Sequence, residues 1–67
     1  MSIAKVIEVT AASKESFEDA IRDGIDRTCK TVEDVQGAWV KQQKVLVEKG
    51  QIVEYRVDLK ITFLLRE

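Results

Sequence analysis

The chain has 67 residues, 45% of them apolar and 34% charged, with a formal net charge of -1, no histidine and one cysteine. That length fits one domain spanning residues 1–67, and the composition fits a folded one. The near-neutral charge excludes a strong electrostatic pull toward nucleic acid or anionic lipid. With Cys29 alone, an internal disulfide and a histidine–cysteine zinc clip are also excluded. A chain this short buries only about 60% of the surface its unfolded form exposes, so association with copies of itself is expected. No apolar run reaches membrane-spanning length, and Met1 to Val9 carries no signal-peptide core. A lone free cysteine suits a reducing compartment, so the expectation is a cytoplasmic protein with no membrane partner.

Lys5 to Thr10 holds the β-branched residues Val6, Ile7, Val9 and Thr10 and predicts a first strand. Ala11-Ala12 is then a connection, and Ser13 an N-cap, with Glu15 and Glu18 near the positive end of a helix. The helix runs to about Lys30. Its apolar or small positions are Phe17, Ala20, Ile21, Gly24, Ile25, Thr28 and Cys29, one stripe at i, i+3, i+4, i+7 spacing. Cys29 is therefore expected in the core, and Gly24 marks a close approach of the sheet.

Thr31 to Val35 connects to a long second strand, Val35 to Val47. Glu48-Lys49-Gly50-Gln51 forms a turn around its glycine. The third strand, Ile52 to Leu65, has the clearest pattern in the chain. Val53, Tyr55, Val57, Leu59, Ile61, Phe63 and Leu65 alternate with Glu54, Arg56, Asp58, Lys60, Thr62, Leu64 and Arg66. The short turn makes the last two strands an antiparallel hairpin. The fold class is α+β: a β-α-β-β order, with a three-stranded antiparallel sheet packed on one helix.

A third strand of this length extends about 45 Å, whereas the helix reaches only about 25 Å. The uncovered apolar end needs a partner, and a sister subunit fits that need. Two open sheet edges strengthen the same expectation.

No catalytic constellation is visible. Without histidine, a nucleophile lacks its usual base, and the carboxylate pairs Glu33-Asp34 and Asp23-Asp26 are expected to be solvated surface charges. Gly24, Gly37 and Gly50 stand apart, so no phosphate loop is formed. Lys41, Lys44 and Lys49 accompany Trp39, but the acidic balance argues against a nucleic-acid surface. A hard cation could take oxygen ligands from several subunits. By alternation Trp39 shares a face with Gly37 and Lys41, away from the helix, whereas Ala38 and Val40 point toward it. Trp39 is then either interface core or a stacking platform for a planar ligand. Arg56, on the polar face of the neighbouring strand, pairs with Glu54 or Asp58 or holds a phosphate or ring carbonyl.

Several strings, in this order and spacing, resemble the dodecin family over nearly the whole chain. They are Lys5-Val6-Ile7-Glu8-Val9, Ala11-Ala12-Ser13, Ala20 to Arg27, Thr31-Val32-Glu33-Asp34-Val35, Tyr55-Arg56-Val57 and Phe63-Leu64-Leu65. The resemblance implies a hollow homododecamer that catalyses nothing. It also implies sequestration of a flavin (riboflavin, FMN or FAD) between tryptophans at a subunit interface, with coenzyme A as a further family ligand. Gly37 falls where flavin-binding members carry the stacking tryptophan. Trp39 lies two residues on, about 7 Å along the same face. Arg56 falls where the family has a ring-contacting glutamine, and Leu64 where an arginine or glutamate is common. In these departures the chain resembles a dodecin subgroup without the stacking tryptophan. Two functions are carried forward. The first is a flavin-storage protein with Gly37, Trp39 and Arg56 at the site. The second is a flavin-free assembly with a structural or calcium-binding role.

Overall fold

A computed structural model describes residues 3–65. Arg66, expected on the polar face of the third strand, lies outside them, as do the first two residues of the Met1 to Val9 segment. The elements are β1 (Ile3–Ser13), α1 (Phe17–Cys29), β2 (Val35–Glu48) and β3 (Gln51–Leu65). They form one antiparallel sheet in the order β1-β3-β2. The strand with the strictest alternation thus sits in the centre, paired on both sides.

β1 is longer than its β-branched run. Ala11, Ala12 and Ser13 continue it because Val57, Arg56 and Tyr55 of β3 are there to pair with them. Pairing overrides the weak strand preference of alanine. The helix start moves accordingly: Ser16, not Ser13, is the N-cap, and its Oγ accepts from the Asp19 backbone N–H at 3.0 Å. Ser13 instead ties the strand to the helix. Its Oγ accepts from the Glu15 N–H at 2.8 Å and donates to Asp19 Oδ2 at 2.7 Å.

α1 lies over β1 and β3 and buries Ala20, Gly24 and Thr28. They meet Val57, Leu59 and Ile61 of β3, the fully buried large side chains. Each such side chain contributes about 1.5–3 kcal/mol on burial. Phe17 closes the helix start against Tyr55, edge to face at 5.1 Å between ring centroids. The other helix face carries Glu18–Arg22, Asp23–Arg27 and Asp26–Lys30 pairs, all largely exposed. Such pairs add a few tenths of a kcal/mol each.

Cys29 is exposed rather than in the core. The buried line of the helix is Ala20–Gly24–Thr28, and Cys29 falls on its flank with Ile21 and Ile25. The opposite flank, Asp23 and Arg27, borders Val9 to Ala12 of β1. The Ile21–Ile25–Cys29 flank therefore looks toward the β2 side, where Val40 is also exposed.

The β2–β3 hairpin turns at Lys49 and Gly50, both at positive φ (51° and 76°). Two such residues make the turn whose twist matches a hairpin, and Gly50 adopts it without strain. Val53 and Leu65, toward the two ends of β3, are exposed by 37% and 48%. The radius of gyration is 13.8 Å and the long axis 52 Å, against about 11 Å for the radius of a compact chain of this length. The protomer is a long ribbon with a short helix on it.

Gly24 tests the close approach of helix and sheet. A Cβ built there would stand 3.0 Å from Ala11 Cβ and 3.1 Å from Leu59 Cδ1. Ala11 Cβ is anchored to a paired backbone and cannot swing away. Gly24→Ala is expected to lower unfolding stability by about 1 kcal/mol in urea titrations, the overpacking outweighing the gain in helix propensity. A stabilised variant would mean that the helix can lift from the sheet.

Candidate functional site

The sheet face away from α1 is uncovered, and strand pairing arranges its side chains in rows. From one end these rows are Ala4–Leu64, Val6–Thr62–Gly37, Glu8–Lys60–Trp39, Thr10–Asp58–Gln42 and Ala12–Arg56–Lys44. The next row pairs Glu54 with Leu46. Gly37, Trp39 and Arg56 all lie on this face, as the alternation requires. Trp39 is 71% exposed. A Cβ at Gly37 would meet nothing within 4 Å. The protomer does not bring Arg56 to Trp39, however. One row, Thr10–Asp58–Gln42, lies between them, which places them about 13 Å apart along β3.

A β-bulge changes the phase of β2 between these rows. The register jumps between Val40/Leu59 and Gln42/Asp58. Before it, Gly37 and Trp39 occupy the open face; after it, Gln42, Lys44 and Leu46 do. Bulges re-aim side chains in this way. Simple alternation from Trp39 misses Gln42 and Lys44. The sequence carries a slight signal: apolar Ala38 and Val40 are even-numbered, and the next apolar residue, Val45, is odd.

Polar contacts organise the middle of the face. Asp58 accepts from Thr10 Oγ1 and Gln42 Nε2, each at 2.9 Å, one on each carboxylate oxygen. Lys41, at the bulge, reaches across β3 to Glu8, its Nζ 3.3 Å from either carboxylate oxygen. Arg56 Nε donates to Glu54 Oε2 at 2.7 Å. Thr10, Gln42, Gln43, Lys44, Arg56 and Asp58 line an open cavity of about 360 Å³. Among the described residues, no group of three or more Cys, Asp or Glu side chains is placed to hold a metal ion. No described helix is long and apolar enough to cross a membrane.

The hydrogen bond from Gln42, followed by that from Thr10, holds the Asp58 carboxyl below the usual aspartate range. Partial desolvation works against them, and the charges of Lys41 and Lys44 add smaller lowerings. A lowered folded-state value means that the contribution of Asp58 is present above the ordinary aspartate range and is lost as pH falls through the lowered one. In an NMR titration, Gln42→Leu is expected to raise the Asp58 midpoint more than Thr10→Val does. A larger effect of Thr10→Val would reverse the order of the two hydrogen bonds.

With the fold and this face in view, comparison with known proteins is direct. The Dodecin family model matches residues 3–66. The calcium dodecin of Mycobacterium tuberculosis is 32% identical over 66 residues, which cover 98% of this chain and 93% of that protein. Its crystal structure, described as that of a calcium-chelating antigen with a novel calcium-binding site, superposes with a TM-score of 0.83 at 33% identity, covering 97% of this chain and 93% of that one. The dodecin of Thermus thermophilus, in an arginine-to-alanine variant, gives a TM-score of 0.94 at 28% identity, with both chains covered in full. The chain belongs to the dodecin family, and its β-α-β-β sheet-and-helix architecture is that of the dodecins. Members of this family form oligomers and bind small molecules.

Proposed function

We propose that this chain is a non-catalytic, cytoplasmic storage protein, a homododecamer that sequesters a flavin at subunit interfaces with Trp39 as the stacking platform. The observation that carries the reading is the exposed indole of Trp39 beside the bare backbone of Gly37, on a sheet face that α1 leaves open. A planar isoalloxazine ring can lie on the indole, and the missing side chain at Gly37 leaves room for it. Flavin binding is known for other dodecins. Stacking of a flat aromatic ring on tryptophan supplies affinity without demanding a particular hydrogen-bond pattern. A ring covered by a second subunit is shielded from water, which is what a storage site requires.

A second reading has its own support, the 32% identity to a calcium dodecin. Calcium takes six to eight oxygen ligands. A cation held by this protein would therefore collect carboxylates and carbonyls from several subunits, with Glu8, Glu54 and Asp58 as the open-face candidates.

Fluorescence titration of riboflavin and FMN into the assembled protein separates the two. Saturable quenching is expected, weakened roughly 5- to 150-fold by Trp39→Ala, which removes one stacking partner worth about 1–3 kcal/mol. Gly37→Trp is expected to tighten flavin binding about tenfold by adding a second aromatic surface in open space. No quenching, together with a calcium-dependent rise in melting temperature reversed by EDTA, would replace the flavin reading with the cation reading.

A further inference from the structure

Trp39 is opposed across the β2–β3 pair by Lys60, and Lys60 is opposed on its other side by Glu8 of β1. Side chains in such positions have Cβ atoms about 5 Å apart, so the Lys60 side chain rises beside the indole. The carboxylates near Lys60 are engaged elsewhere. Both oxygens of Glu8 lie 3.3 Å from Lys41 Nζ, which crosses β3 from the bulge. Asp58, next along the same face of β3, accepts from Thr10 and Gln42 and has the charges of Lys41 and Lys44 near it. Lys60, half-buried on the central strand, makes no hydrogen bond or ion pair among the described residues. The row on its other side ends in Thr62 and Gly37, which bring no charge, and the space over Gly37 is open. An exposed indole, a cation without a counter-charge and open room thus meet at one place on the face.

We infer that Lys60 is the specificity-determining residue of the Trp39 platform: among flat aromatic ligands it selects those that bring a negatively charged ring edge to its ammonium group. Stacking on the indole is shared by every flat ring of similar size. The ammonium group is what tells such rings apart. An anionic substituent in the plane of a ring laid on Trp39 gives Lys60 its missing counter-charge through a charge-assisted hydrogen bond. A neutral ring of the same shape covers the ammonium group, strips part of its water and returns nothing to it. Lys41 acts at one remove: by holding Glu8, it keeps the neighbouring carboxylate from closing on Lys60. The inference rests on Trp39 as a stacking platform, as proposed above, but not on the ligand being a flavin. A flavin on the platform would turn its carbonyl-bearing edge toward Lys60, an uncharged and weaker form of the same contact.

The test titrates 2-naphthoate and 2-naphthamide, which share a ring and differ in charge, into the assembled protein and into Lys60→Gln and Lys60→Arg. Riboflavin is titrated in parallel, and native mass is checked for each variant. Trp39 is the only tryptophan, so quenching of its emission reports a ring at the platform. 2-Naphthoate is expected to bind at least about fivefold more tightly than 2-naphthamide at low salt, as a charge-assisted hydrogen bond provides. The gap should narrow as salt rises. Lys60→Gln should reduce it to about twofold or less with the 2-naphthamide affinity unchanged, and Lys60→Arg should keep it. Equal affinities in the unaltered protein, a gap that survives in Lys60→Gln, or no saturable quenching by either probe overturns the inference. If Lys60→Gln fails to assemble, the unaltered protein and Lys60→Arg decide, at low and high salt. Riboflavin quenching without charge discrimination leaves the flavin reading standing and overturns this inference. Discrimination without riboflavin binding upholds this inference and removes the flavin.

Discussion

A β-strand advances about 3.3 Å per residue and an α-helix 1.5 Å, and this difference governs the protomer. β3 has 15 residues and α1 has 13, so the helix covers less than half of the strand it packs on. Val57, Leu59 and Ile61 in the middle of β3 are fully buried; Val53 and Leu65 toward its ends are not. The core is therefore a short plug in a long ribbon, and the rest of the apolar surface has no cover within the chain. The exposed edge strands β1 and β2 and the Ile21–Ile25–Cys29 flank extend the same deficit. Each is the kind of surface that a second copy covers.

The open face follows from the same arrangement. With one helix on one side, every second residue of three long strands is presented to whatever lies opposite. A bulge in β2 sorts that face into an aromatic part, around Gly37 and Trp39, and a polar part, around Asp58, Lys44 and Arg56. Without the bulge, Lys41 and Gln43 would face Asp58 and Arg56 in place of Gln42 and Lys44. Asp58 would then lose its Gln42 donor, and Arg56 would lose the facing cation. The placement of one extra residue thus determines what chemistry the face can offer.

Much of this was legible in the residues themselves. The strict alternation of β3, the helical stripe and the glycine turn gave the element order, and Gly24 marked the close contact of helix and sheet. The placement of Gly37, Trp39 and Arg56 on the uncovered face also followed from period-two reasoning. The helix N-cap did not: Ser13 and Ser16 are both competent caps, and long-range pairing of Ala11 to Ser13 with β3 chose between them. Cys29 was misplaced because a stripe in sequence has a width, and which of its borders is buried depends on where the sheet ends. Lys44 and Gln42 were missed because a bulge is a property of two strands, visible in one strand only as a change of phase. Asp58 was legible as a polar-face residue but not as the acceptor of two cross-strand bonds.

The central claim is that the isolated protomer is incomplete and that copies of the chain cover its surfaces. Native mass spectrometry of the protein at micromolar concentration tests it most directly. The account predicts a discrete, high-order multiple of the 7.6 kDa chain, twelvefold if the assembly is that of a dodecin, with no stable monomer. A single folded species at the monomer mass would contradict it, since the exposed ends of β3 and the open face would then persist in water without a partner.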